Sequence, residues 1–192
     1  MKERRTLDTG ARFTIESSVE AADWAIGESV ALDGACMTVV AARGNTFDIE
    51  ISQESLSRTT LGEREPGDRV NMERSMRADD RVGGHFVSGH VDGVGRVAGV
   101  EPKGDSWIYA FELDESLGRH LVEKGSVAID GISLTCFGCT GTGFEVAVIG
   151  HTARSTTLGE KGPGARVNVE NDMLGKYVAK LVDAAIAARL SR

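Results

Sequence analysis

Shifting the chain against itself by 97 positions lays residues 29–73 on residues 126–170 without a gap, and 19 of the 45 paired positions are identical. Chance does not give that density, and the period is far too long for a solenoid, so each copy is expected to be a globular module of its own. The identities fall in blocks. Ser-Val-Ala-x-Asp-Gly ends at Gly34 and Gly131, Thr38 matches Thr135, Thr-Thr-Leu-Gly-Glu ends at Glu63 and Glu160, and Pro-Gly-x-Arg-Val-Asn-x-Glu ends at Glu73 and Glu170.

Within a copy the texture is that of short strands, at 126–129, 133–137, 144–149 and 166–170 in the second, with glycine-rich turns between them. Strands at this spacing indicate a small antiparallel barrel. Asp33-Gly34 and Asp130-Gly131 lie between β-prone runs, where a tight hairpin needs positive φ. Pro66-Gly67 and Pro163-Gly164 do a similar job before each copy's last strand.

The second copy has a long lead-in, Gly-Gly-His-Phe-Val-Ser-Gly-His-Val-Asp-Gly-Val-Gly at 83–95, and the first has none. The first barrel is therefore expected to lack its opening strand, and to start further upstream or to cover its open edge with a neighbouring chain. After the second copy the pattern becomes helical over 173–192. Asn171 or Asp172 is placed to cap it, and Leu174, Tyr177, Leu181, Ala184 and Ala188 recur along one face. Ala184, Ala185, Ala187 and Ala188 permit close helix approach, against its own barrel or against copies of itself. Self-association is favoured, because no later element covers the helix. The expected units are 1–84, 85–172 and the helix 173–192.

Composition narrows the partners. A net charge of −7 and no dense Lys/Arg run argue against nucleic acid or an anionic membrane surface. No apolar run approaches the roughly 20 residues needed to span a bilayer, and the first fourteen residues lack the apolar core of a secretion signal, so a cytoplasmic location is expected. Three cysteines are an odd number, which fits reduced thiols better than a disulfide framework.

Gly-Gly-His-Phe-Val-Ser-Gly-His-Val-Asp at 83–92, together with Ile-Asp-Gly-Ile-Ser-Leu-Thr at 129–135, resembles the riboflavin synthase family, whose chain is also a tandem repeat. The likeness extends to both Thr-Thr-Leu-Gly segments, both Arg-Val-Asn-x-Glu strands and the terminal helix. It implies an all-β fold of two tandem six-stranded antiparallel Greek-key barrels of the flavin-reductase type plus a C-terminal α-helix. It also implies a homotrimer held by that helix, with each active site between the first barrel of one subunit and the second barrel of another. In that family two molecules of 6,7-dimethyl-8-ribityllumazine exchange a four-carbon unit, giving riboflavin and 5-amino-6-ribitylaminouracil as the last step of riboflavin biosynthesis. No metal or organic cofactor is implied, and lumazine synthase is an implied partner. The family opens with Phe-Thr-Gly-Ile-Val, which nothing here matches.

The duplication suits such a reaction, because two like pockets hold two like substrates face to face and positioning supplies much of the rate. The chemistry further needs an acid or base for the C7 methyl, a nucleophile or water adding to C7 of the partner, and hydrogen bonds to a delocalised anion. The resemblance places catalytic roles on Cys36, His90, Ser133, Asp172 and Ser29. It places substrate contacts on Cys36, Met37 and Thr38 of the first repeat and on Ser133, Leu134 and Thr135 of the second. Glu50, Ile51, Ser52, Gln53, Glu54 and Ser55 align with one binding loop, and Ile149, Gly150, His151, Thr152, Ala153 and Arg154 with the other. Lys124 and the main chain of Gly89, His90 and Val91 complete the set.

Other readings stay beside this one. His85 and His90 on a strand would face opposite sides and make no metal pair. Cys136 and Cys139 have CxxC spacing without a second pair, which points to core thiols. His120 and His151, taken alone, read as surface or hydrogen-bonded histidines, and Cys36 as a small buried residue. Gly93-Val94-Gly95 lacks the spacing of a dinucleotide loop. A non-catalytic lumazine- or flavin-binding protein of the same fold is the alternative to the enzyme, and a ligand-free structural oligomer is the third.

Overall fold

Each repeat builds the same antiparallel order from its own residues. The computed structural model describes residues 1–17 and 23–190. The first repeat contributes β1 (Glu3–Leu7), β2 (Gly10–Glu16), β3 (Ser29–Leu32), β4 (Ala35–Arg43), β5 (Thr46–Ser52), α1 (Gln53–Arg58) and β6 (Met72–Arg74). The second contributes β7 (Gly93–Lys103), β8 (Ser106–Glu112), α2 (Glu115–Gly118), β9 (Ser126–Ile129), β10 (Ile132–Phe137), β11 (Gly143–Ile149), α3 (Gly150–Ser155) and β12 (Arg166–Asn171), and α4 (Met173–Leu190) follows. The strand order is β1-β2-β5-β4-β3-β6 in one sheet and β7-β8-β11-β10-β9-β12 in the other.

Alternation decides which side of each strand is core. In β5, Phe47, Ile49 and Ile51 are buried while Glu50 and Ser52 are exposed, and in β11 Phe144, Val146 and Val148 are buried while Glu145, Ala147 and Ile149 are exposed. The apolar sets form two separate cores, one per repeat.

The second sheet closes into a barrel and the first does not. Strand β7 is long enough for two partners: residues 93–96 pair with β12, and residues 96–103 pair with β8. Strand β1 has five residues, all paired with β2. Gly67 N–H bonds to Met1 O at 3.0 Å, as Gly164 N–H bonds to Val97 O at 2.7 Å, so Met1 stands where Val97 stands in the second repeat. Among the described residues Met72 then has a strand on one side only, β3, and Val70 lies outside β6, whereas their counterparts Val169 and Val167 both pair with β7. Val70 and Met72 are half-buried, whereas Val167 and Val169 are fully buried. Strand β1 thus corresponds to the part of β7 that pairs with β8, and no described residue of the first repeat takes the place of the part that pairs with β12.

The two Asp-Gly hairpins have the conformation the sequence demands, with φ of 44° and 75° at Asp33 and Gly34 and 47° and 81° at Asp130 and Gly131. Their carboxylates are fully buried. Asp33 accepts from Asn71 N–H at 2.8 Å and pairs with Arg64 at 2.8 Å, and Asp130 accepts from Asn168 N–H at 2.8 Å and pairs with Lys161 at 2.7 Å. Burial raises both acids above the ordinary aspartate range, and it pushes Asp130 up to about 6 despite the neighbouring lysine. The turns meet back to back: a methyl on Gly34 would lie 2.5 Å from Gly131 N, so the repeats approach this closely only through glycine. Arg69 with Glu160 and Arg166 with Glu63 form reciprocal ion pairs across the same junction.

Asp172 caps α4, with Leu174 N–H donating to its Oδ1 at 3.0 Å. Leu174, Tyr177, Val178, Leu181, Val182 and Ile186 are exposed, and no residue of the helix is buried, so its apolar face does not pack on its own barrel. Residues 191 and 192 of the expected helix lie outside the described residues. No described helix is long and apolar enough to cross a membrane.

Candidate active site

The candidate residues of the two repeats occupy equivalent places in equivalent hairpins. Ser29 pairs with Thr38 and Ala31 with Cys36 across β3 and β4, and Ser126 pairs with Thr135 and Ala128 with Ser133 across β9 and β10. Cys36, Thr38, Ser133 and Thr135 are all exposed on the outer faces of their sheets. Cys36 is therefore not the small buried residue that its type alone suggests. Between them, Met37 is 7% exposed and belongs to the first core, while Leu134 packs against the second. These two side chains face inward, which leaves their main chain for a ligand.

The lead-in at 83–92 is irregular rather than a strand, which corrects the geometry assumed for His85 and His90. It is held by Glu170, whose carboxylate accepts from Ser88 N–H at 2.8 Å, Ser88 O–H at 2.6 Å and Gly89 N–H at 3.0 Å. From there the segment reaches both repeats. Gly89 O accepts from Cys36 N–H at 2.8 Å, Val91 packs on the first core, and His85 Nδ1 lies 2.8 Å from Ser133 Oγ. Five residue steps separate Gly84, which touches Ser133, from Gly89, which touches Cys36. The reach of the chain thus limits those glycines to at most ~18 Å apart. His90 is exposed, with Nδ1 3.3 Å from Ser88 Oγ.

The two aligned loops are again equivalent. Ser52 caps α1 by accepting from Ser55 N–H, and α1 and α3 follow β5 and β11 in the same way. Glu50, Ser52, Gln53 and Glu54 are exposed and Ser55 half-buried, as are Gly150, Thr152 and Ala153, while Ile149, His151 and Arg154 are exposed. Ile51 is 3% exposed and points into the first core, so its side chain is unavailable to an outer-face ligand. Lys124 has φ of 64° and carries its ammonium 4.9 Å from the centre of the Phe137 ring.

Asp172 caps α4 and, with Glu170, is one of the acids felt by His85. Cys136 is buried and Cys139 half-buried, both as free thiols, and burial beside Cys136 pushes Cys139 up to about 12. No group of three or more metal-ligating side chains occurs among the described residues. Two surface concavities, one of about 370 Å³ lined by Arg4, Gln53, Leu56 and Arg166 and one lined by Arg5, Arg12 and Arg43, include neither Cys36 nor Ser133. Within one chain Cys36, Thr38, Ser133 and Thr135 lie on the exposed outer faces of their sheets, and Gln53 lines the first concavity.

A family model described as the lumazine binding domain matches residues 2–75 and again 88–172. Riboflavin synthase of Actinobacillus pleuropneumoniae is 41% identical over 172 residues, covering 90% of this chain and 80% of the relative. The chain belongs to the riboflavin synthase family. Another member, from Mycobacterium tuberculosis (strain ATCC 25618 / H37Rv), is 41% identical over 186 residues and covers 95% of this chain and 92% of its own. The fold of this riboflavin synthase family member also matches LumP in complex with 6,7-dimethyl-8-(1'-D-ribityl) lumazine. There the TM-score is 0.75 at 23% identity, over 88% of this chain and 92% of that one. The LumP complex with riboflavin gives 0.78.

Two residues that touch the candidate positions escaped the sequence reading. His85 entered it only as half of a rejected metal pair, and Glu170 only as the end of a repeated strand motif. The repeat gives both positions the same letter, and only the structure separates them: Glu73 is exposed and Glu170 is 3% exposed.

Proposed function

We propose that this chain is a transferase that converts two molecules of 6,7-dimethyl-8-ribityllumazine into riboflavin and 5-amino-6-ribitylaminouracil by four-carbon transfer. The observation that carries the reading is the equivalence of the two hairpins. Each presents a nucleophilic or hydroxyl group and a threonine, Cys36 with Thr38 and Ser133 with Thr135, on the same outward face at the same register. Two like sites are what a reaction between two like molecules requires, and neither is enclosed within one chain.

A second copy supplies the missing wall in this reading. The apolar, uncovered face of α4 joins three chains, and the first sheet of one then faces the second barrel of the next. The ring of each substrate lies along β4 or β10, with the main chain of Met37 or Leu134 and of Gly89, His90 and Val91 as hydrogen-bonding partners. Ser29, His90 and Asp172 lie on the segments that flank these strands, where they would move protons or complete the contact between subunits. Cys36 or Ser133 adds to C7 or holds the water that does. In this reading the reaction uses no cofactor, the chain works in the cytoplasm, and lumazine synthase is the source of its substrate and a partner.

The test is to incubate the purified chain with 6,7-dimethyl-8-ribityllumazine and follow riboflavin by its absorbance. Formation of riboflavin supports the enzyme, and tight binding without product supports a lumazine-binding protein of the same fold instead.

A further inference from the structure

The two candidate hairpins are alike, but what faces them is not. Cys36 is met by the main chain of Gly89, through the bond from Cys36 N–H to Gly89 O at 2.8 Å. Its counterpart Ser133 is met by an imidazole, with His85 Nδ1 2.8 Å from Ser133 Oγ. A methyl at Gly84 would overlap Ser133 Oγ, so only glycine before His85 lets the lead-in come this close. The far side of the lead-in is pinned by the three hydrogen bonds that Glu170 accepts from Ser88 and Gly89. His85 Nε2 is buried without a hydrogen-bond partner among the described residues, which makes the bond to Ser133 the ring's one polar anchor there. The charged groups that face the ring are Asp172 and Glu170, and burial outweighs them, holding the imidazole below its ordinary value and neutral at neutral pH.

We propose that His85 is a positioning residue of the second-repeat site: as a neutral imidazole it accepts the Ser133 hydroxyl in a hydrogen bond, turns the oxygen lone pairs toward the substrate, and so makes the two sites of the reaction unequal. A hydroxyl whose proton is engaged presents an oxygen that accepts from the substrate or attacks it. The Cys36 thiol has no such partner among the described residues. Two identical molecules entering this protein therefore meet different surroundings, and one of them is selected for each half of the transfer. The inference rests on the proposed reading of Ser133 as a substrate-facing group.

The experiment uses the full chain and two variants, His85→Asn, whose amide oxygen can accept near the Nδ1 position without titrating, and His85→Ala. Circular dichroism and thermal melting first establish that each is folded. In the unliganded protein, nuclear magnetic resonance of the histidine rings should show the His85 titration midpoint moving by roughly half a pH unit or more on Ser133→Ala, and an unmoved midpoint overturns the link. With 6,7-dimethyl-8-ribityllumazine, wild-type kcat should fall on the acid side as the ring gains its proton. His85→Asn should keep kcat within roughly threefold and lose that acid limb, while His85→Ala should lose roughly 10–100-fold in kcat with a smaller change in KM. Equal losses in the two variants, or the same acid limb in all three proteins, overturn the proposal. If the wild-type chain binds the lumazine but makes no riboflavin, the proposed function fails, and the ring titration alone decides whether His85 orients Ser133.

Discussion

Asn71 and Asn168, the same residue in the two repeats, each clasp the opposite half of the molecule. Asn71 donates from Nδ2 to Asp130 O at 3.0 Å and accepts from Thr157 N–H at 2.8 Å. Asn168 donates from Nδ2 to Asp33 O at 2.8 Å and accepts from Thr60 N–H at 2.7 Å. The exchange is reciprocal about a line between Gly34 and Gly131, so the duplicated modules face one another as two subunits of a symmetric dimer would.

Loss of these amides should be costly and unequal. Asn168→Ala strands buried partners on both sides, and Asn168 is 1% exposed, so it should destabilise the chain by about 2–4 kcal/mol in urea unfolding. Asn71 is itself half-buried, so water can enter where its side chain is removed, and Asn71→Ala should cost about half as much. Equal effects would mean that water does not reach the groups freed at Asn71.

Asp130 gives a pH signature with a definite sign. Its carboxyl titrates at about 6 in the fold, above its unfolded value, so the folded state holds the extra proton. The contribution to stability is complete below the unfolded aspartate range and is lost as pH rises through about 6. Asp130→Asn removes this dependence while keeping an acceptor for Asn168 N–H. Relative to the wild type, the variant should gain on the order of 2–3 kcal/mol between pH 4 and pH 7, read from chemical unfolding at each pH. A constant difference between the two proteins across that range would contradict the assignment.

The edge of the first sheet should be visible in amide exchange. Val167 lies inside a closed barrel and Val70 beside an open one, so the Val70 amide should exchange at least about tenfold faster under native conditions. Matching protection would show that something covers the edge in solution.

The thiols should differ in reactivity. Cys36 is exposed, whereas Cys136 is buried and Cys139 titrates near 12. At pH 8 a thiol reagent should label Cys36 first, as read by peptide mass spectrometry, because the thiolate is the reacting form. Early labelling of Cys139 would show that the turn between β10 and β11 opens.

Much of the fold was legible because the repeat and the Asp-Gly turns are local signals. The 97-position shift places β3 on β9 and β4 on β10, and positive φ at Asp33 and Asp130 follows from the turn chemistry. What was not legible depends on distant groups. Residues 83–92 read as strand, yet they run irregularly because Glu170, far along the chain, takes up the N–H groups of Ser88 and Gly89. Cys36 taken by its type alone reads as buried, since its type does not reveal that Met37 and Val39 own the inward face, and only the match to Ser133 marks it as a site residue. His85 was invisible as a site residue for the same reason, as its bond to Ser133 joins residues 48 positions apart.

The most direct test of the central claim, that twin hairpins serve one reaction between two like molecules, is the stoichiometry of turnover. With 6,7-dimethyl-8-ribityllumazine as the only substrate, the account predicts one riboflavin formed for every two lumazines consumed, and loss of product in both Cys36→Ala and Ser133→Ala. Riboflavin formation that survives removal of either group, or binding with no product at all, would contradict it.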